Sequence, residues 1–149
     1  MRGKDKRFLF YFNEHSGYRH HDQDRATLDR GQRDGKLVAT FRCFEEYERA
    51  KSMTLRLKVE NVMRDERFAM SVNGQPVAAE QMQVRYAANG RDTRVHTVTL
   101  LPYLEYEIAL KANQLGRGEN RLEVAPQRLV PALTATIQVR ELELVVRYA

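Results

Sequence analysis

Leu115-Gly116-Arg117-Gly118-Glu119-Asn120-Arg121-Leu122-Glu123-Val124 is the stretch whose reading decides the fold. Glycines at 116 and 118 permit a sharp turn, and Asn120 tolerates unusual backbone angles. Leu122 and Val124 then alternate with charged residues, as in a half-buried strand. On one side lies a second alternating segment, residues 103–110, in which Leu104, Tyr106, Ile108 and Leu110 share a face opposite Glu105 and Glu107. On the other side lies a third, residues 134–148. A glycine-rich turn between period-two segments predicts antiparallel β-structure with one face on a core.

The pattern extends outward from there. Met53, Leu55, Leu57 and Val59 alternate with Thr54, Arg56 and Lys58, which is the cleanest strand in the chain. Phe68, Met70 and Val72 repeat it and run into Asn73-Gly74, a dipeptide suited to a two-residue turn with positive φ. Gln75-Pro76-Val77 then reads as a short edge segment, where proline removes no ladder bond. Further strands are expected at residues 8–12, 36–44, 82–86 and 95–101, and residues 45–51 form a polar connection with room for one helical turn. In the last strand Ile137 and Val139 fall on odd positions, whereas Leu142, Leu144, Val146 and Tyr148 fall on even ones. One extra residue near Arg140 or Glu141 restores the phase, so a β-bulge is expected there. Nothing shows a sustained helical period or an internal repeat. The expected fold is all-β: a single domain, residues 1–149, forming an antiparallel β-sandwich of jelly-roll type.

Bulk properties agree with a soluble globular chain. A polypeptide of 149 residues buries about 70 % of its unfolded surface, enough for a core without disulfides or metals. Hydrophobic residues make up 42 % and charged residues 30 %, ordinary values for such a domain. No apolar run approaches a membrane span, and Phe8 to Phe12 is too short for a signal peptide. The single cysteine, Cys43, excludes an intramolecular disulfide and reads as a buried thiol within a strand. The net charge is +5, but its cations are scattered among acids rather than gathered into a stripe, which argues against nucleic acid as a partner.

Candidate chemistry is sparse. The chain has no Gly-x-Ser-x-Gly elbow, phosphate loop or His-Glu-x-x-His helix, and Glu105, Glu107, Glu141 and Glu143 read as an outward, solvated face. The chain therefore reads as non-catalytic. Residues 13–35 are polar and turn-rich, with His15, His20, His21, Asp22 and Asp24 close together. An exposed polar loop explains them; Asp22 and Asp24 also offer oxygen ligands for a structural calcium, although the rest of an EF-hand pattern is missing, and zinc spacing is poor. For a sugar, the requirement is an aromatic platform with polar neighbours. The chain has no tryptophan; Tyr18, Tyr47, Tyr86 and Tyr103 remain. Tyr86-Ala87-Ala88-Asn89-Gly90-Arg91-Asp92 is the best single candidate, because Tyr86, Asn89, Arg91 and Asp92 place a ring, an amide, a guanidinium and a carboxylate in one loop. Turn chemistry alone also accounts for Asn89-Gly90. Tyr106 and Tyr148 lie in phase with core leucines and read as packing residues.

Four segments taken together resemble a galactose-binding-domain-like β-sandwich, the accessory module common in bacterial carbohydrate-active enzymes. They are 53–59 leading into Phe68–Val77, then 106–110, then Leu115–Val124, and finally the terminal strand Val139–Tyr148. The resemblance is nearest to the C-terminal modules of putative bacterial glycoside hydrolases. It implies a ligand end built from variable loops, here 13–35 and 78–94, with Tyr18 and Tyr86 as stacking groups and Asn89, Arg91 and Asp92 as hydrogen-bonding groups. It also implies room for a structural calcium, and a glycan or a catalytic domain of a parent protein as partner. The motifs themselves, Asn73-Gly74 and Gly116 to Asn120, shape turns rather than a pocket. A structural or protein-interaction sandwich without a sugar site, including a homodimer joined at an edge strand, is the alternative.

Overall fold

The computed structural model describes residues 5–10, 27–29, 35–88, 90–91, 99–100, 102–130 and 136–148. Its strands are β1 (Lys6–Phe10), β2 (Thr27–Asp29), β3 (Leu37–Cys43), β4 (Ala50–Glu60), β5 (Arg67–Val72), β6 (Gln75–Pro76), β7 (Met82–Ala87), β8 (Gly90–Arg91), β9 (Thr99–Leu100), β10 (Tyr103–Leu110), β11 (Gly118–Arg128) and β12 (Thr136–Tyr148). One antiparallel sheet has the order β1-β12-β4-β10-β7, with β2 also on β12; a second has the order β3-β11-β5-β6; β8 and β9 form a small hairpin pair. The chain is all-β, with two antiparallel sheets.

Period-two patterning explains which sides meet. In the larger sheet Leu142, Leu57, Tyr106 and Val84 form one transverse row, and Phe8, Leu144, Leu55, Ile108 and Met82 the next. In the smaller sheet the rows are Leu37–Val124–Met70 and Ala39–Leu122–Val72. Side chains from both sets merge into one hydrophobic cluster, so the sheets pack apolar face to apolar face. Cys43 is a buried thiol in this cluster.

The outward side of the larger sheet is a lattice of cross-strand ion pairs. Glu107 pairs with Arg56 at 3.6 Å, Glu141 with Lys58 at 2.8 Å and Glu143 with Arg7 at 3.9 Å, while Glu105 binds Arg85. The four glutamates thus face outward as the alternation predicts, each opposite a cation on a neighbouring strand. Such partly exposed pairs contribute only about 0–1 kcal/mol each.

The phase slip in the last strand is a bulge. Val139 pairs with Val59 and Leu142 with Leu57, so Arg140 and Glu141 together oppose Lys58. The extra residue keeps Ile137 and Val139, before it, and Leu142, Leu144 and Val146, after it, all buried.

Several boundaries differ from the sequence reading. The first strand begins at Lys6 rather than Phe8, because pairing with Val146 and Val145 recruits Lys6 and Arg7 into the ladder. Residues 27–29 form a strand inside the segment expected to be irregular; three residues carry too little periodicity to reveal one, and their partner, Thr136–Gln138, is far away in sequence. The connection at 45–51 does hold one 3-10 turn, Tyr47–Arg49. Of the strand expected at 95–101, Thr99 and Leu100 are strand and the rest lies outside the described residues.

Candidate functional site

Pairing register places one residue from each of the two segments expected to form a ligand end, Thr27 and Ala87, in the same row of the larger sheet. Thr27, Gln138, Glu60, Tyr103 and Ala87 form a single row across five strands. Thr27, within the segment 13–35, and Ala87, within the segment 78–94, are the outermost members of this row, at opposite edges of the sheet and roughly 19 Å apart at the usual inter-strand spacing. The β4–β5 connection, residues 61–66, leaves from the middle of the same row.

That connection is held rigidly. Asn61 adopts φ 68°, a left-handed angle that asparagine tolerates better than most residues, and its Nδ2 donates to the Thr136 carbonyl at 2.9 Å. The Asn61 and Val62 N–H groups both donate to the Pro102 carbonyl, at 2.7 and 3.2 Å. Glu66 is fully buried, and its carboxylate accepts from the Met63 N–H at 2.7 Å and the Val130 N–H at 3.0 Å. A buried carboxylate is tolerated only when its oxygens are bonded in this way. On the outward face of the row Glu60, also buried, accepts from Gln138 Nε2 at 2.8 Å.

Of the predicted ligand residues, the side chain of Tyr86 is described. Its register partner is the buried Leu104, so the ring points toward the core side of the terminal strand β7. It is half-buried, packs against the core, and carries the Arg64 guanidinium 4.6 Å from its centroid. No sequence pattern singles out Arg64; folding of the 61–66 connection over β7 makes it a cation–π partner. Arg91 lies in β8, whose backbone pairs with Thr99. Tyr18, Asn89 and Asp92 lie outside the described residues, as do Asp22 and Asp24 and with them the calcium expectation. Among the described residues no group of three or more His, Cys, Asp or Glu side chains is placed to hold a metal ion.

Two other tyrosines considered as platforms are enclosed. Tyr47 is buried and donates from its hydroxyl to the Cys43 carbonyl at 3.1 Å; burial pushes its phenol above the ordinary range. Tyr103 does face outward, but it too is buried, with Lys58 Nζ 5.1 Å from its centroid. The alternation was right about direction and silent about cover.

The turn motifs do structural work at another end of the sandwich. Asn73 and Gly74 adopt φ 51° and 80° and close the two-residue hairpin between Val72 and Gln75, the geometry that favours Asn-Gly. Asn73 Nδ2 donates to the Gln114 carbonyl at 2.8 Å and to Asn120 Oδ1 at 2.9 Å, while its Oδ1 accepts from the Arg121 N–H at 2.8 Å. Asn120, fully buried, accepts from the Gly116 N–H at 2.7 Å and donates back to the Gly116 carbonyl at 3.0 Å. Gln114 Oε1 accepts from Gln81 Nε2 at 2.9 Å and from the Lys111 N–H at 2.8 Å. Three connections, 73–74, 77–81 and 111–117, are thereby tied to one another and to β11 through amides, with each of these buried amides bonded.

One residue with binding potential escaped the sequence reading. Phe44 was assigned to the end of a strand, yet β3 stops at Cys43 and the Phe44 ring stands 69 % exposed. The only sequence signal was the charged run that follows it at residues 45–51. Compared with protein-family models and with curated proteins, the sequence finds no significant match.

Proposed function

We propose that this chain is a non-catalytic binding module, a jelly-roll sandwich of the galactose-binding-domain-like kind that holds a glycan beside a glycan-processing enzyme. The supporting observation is the transverse row from Thr27 to Ala87, in which one residue of each of the segments 13–35 and 78–94 lies in the same row of one sheet. Connections carried on a rigid sheet are a common way to build a recognition surface. Arg64, beside Tyr86, adds a donor group to that surface.

The test is a glycan array at near-physiological salt, run with calcium and again with chelator on protein shown to be folded. Binding to a defined polysaccharide class is the expected result, and its loss in chelator would give calcium a part in that binding. A blank array would transfer the reading to a protein-interaction module. One observation favours that second reading: β7 is a terminal strand of its sheet, and its inward-facing Val84 is 37 % exposed. Terminal strands offer backbone groups for pairing with another chain, and a mass that rises with concentration would support it.

A further inference from the structure

We infer that Phe44 is a stacking platform for a neutral hexopyranose, at a second recognition point far in sequence from Tyr86; this rests on the glycan-binding reading above. Phe44 is the most exposed large hydrophobic residue among those described, at 69 %. Exposure of a phenyl ring is unfavourable unless something covers it in use. The ring lies over Gly118, where an added Cβ would meet it at 3.7 Å. Gly118 has φ 102°, so glycine is required by the backbone, and the ring rests on a residue that has no side chain of its own.

The platform is also held in place. Gly118 is the register partner of Cys43, and the buried Tyr47 hydroxyl donates to the Cys43 carbonyl. The Arg49 N–H closes the following turn onto the Glu46 carbonyl at 3.0 Å. Backbone fixed on both sides of Phe44 leaves only the side chain's own torsions to be ordered on binding.

Chemistry beside the ring selects the ligand. Arg117, next to Gly118, contacts Glu46 at 3.6 Å and Glu48 at 3.8 Å, and Glu46 also bonds Arg49 at 3.1 Å. Two guanidiniums and two carboxylates form a network that is neutral in sum, rich in donors and acceptors, and half or more exposed. An aromatic ring with such groups on neighbouring residues, Glu46 along the chain and Arg117 beside Gly118, matches a sugar ring, whose C–H face stacks while its hydroxyls bond to the charged groups. Charge balance favours neutral sugars over uronates. A protein partner is less suited, because an interface anchor needs apolar neighbours to form a desolvated centre, and the side chains at Glu46, two residues on, and at Arg117, beside Gly118, are charged.

The experiment is affinity electrophoresis of the full chain through gels containing soluble β-glucan, galactomannan, xylan or polygalacturonate. The expected result is retardation by at least one neutral polymer. Phe44→Ala should weaken it roughly tenfold or more, Phe44→Tyr should preserve it, and Arg117→Ala should weaken it, all with unchanged melting temperature. Equal retardation of wild type and Phe44→Ala would overturn the assignment of Phe44 and leave the glycan reading standing. No retardation of wild type by any polymer would defeat both. Preference for polygalacturonate would overturn the neutral-sugar assignment. Self-association abolished by Phe44→Ala, without retardation, would reassign the ring to a protein contact and overturn the proposal.

Discussion

The Tyr106 hydroxyl, projecting from β10 in one sheet, accepts a hydrogen bond from the Phe68 backbone N–H of β5 in the other, at 2.9 Å. The need for it follows from the sheet edge. β6 is two residues long and pairs only with Ser71 and Val72, which leaves the first half of β5 without a ladder neighbour on that side. A buried N–H without a partner is costly, and a phenol reaching across the core supplies one.

Tyr106→Phe removes the acceptor while keeping the ring. Phe68 is 1 % exposed, so its N–H cannot turn to water. The expected loss is about 1–3 kcal/mol, read as a lower urea midpoint with unchanged slope. A loss near zero would mean that the N–H finds another partner.

Burial raises the phenol pKa of Tyr106, and of Tyr148 as well. The folded state therefore holds these protons more tightly than the unfolded chain, whose tyrosines ionise near pH 10. Their contribution is fully present below about pH 10 and is lost as pH rises through the folded values. Urea midpoints should be flat with respect to these groups up to that point and fall above it, and the fall should be shallower in Tyr106→Phe. An equally steep alkaline fall in the variant would remove Tyr106 from the effect.

Asn120→Ala should be among the most damaging polar substitutions. It strips partners from the Gly116 N–H, the Asn73 amide and the Gly116 carbonyl together. With about 0.5–1.5 kcal/mol net for each of these three part-buried hydrogen bonds, a loss of about 2–4 kcal/mol is expected in urea denaturation. A loss below about 1 kcal/mol would show that the three tied connections hold without it.

Deleting Arg140 tests the bulge. Removing one of the two residues opposite Lys58 keeps Val139 and Leu142 on the core face, so the chain should fold, with a loss of roughly 0.5–3 kcal/mol. Deleting Arg56 from the regular part of β4 reverses the facing of the residues beyond it and should abolish cooperative unfolding. Circular dichroism and thermal melts distinguish the two, and a folded Arg56 deletion would contradict the register.

What was legible in the sequence was whatever depends on period two and on local turn chemistry. The inward faces of β4, β5, β10 and β12, the Asn73-Gly74 hairpin, the bulge and the burial of Tyr106 all follow from nearest-neighbour geometry, because alternation reports which side of a strand is dry. β2 was not legible, since a three-residue strand is defined by its partner.

The same limit governs the candidate sites. Alternation pointed Tyr103 outward and could not report that it is covered, and it gave Arg64 no reason to lie over Tyr86. Phe44 looked like strand because its type favours strand, whereas β3 ends one residue earlier, where the Tyr47 hydroxyl meets the Cys43 carbonyl. The sequence by itself determined an all-β chain and the side on which most residues of its regular strands lie, through local stereochemistry and hydrophobic burial. Only the tertiary structure decided which strands are neighbours, which outward side chains are enclosed and which aromatic ring is left bare. Those outcomes depend on contacts between residues far apart in the chain, and no local pattern encodes them.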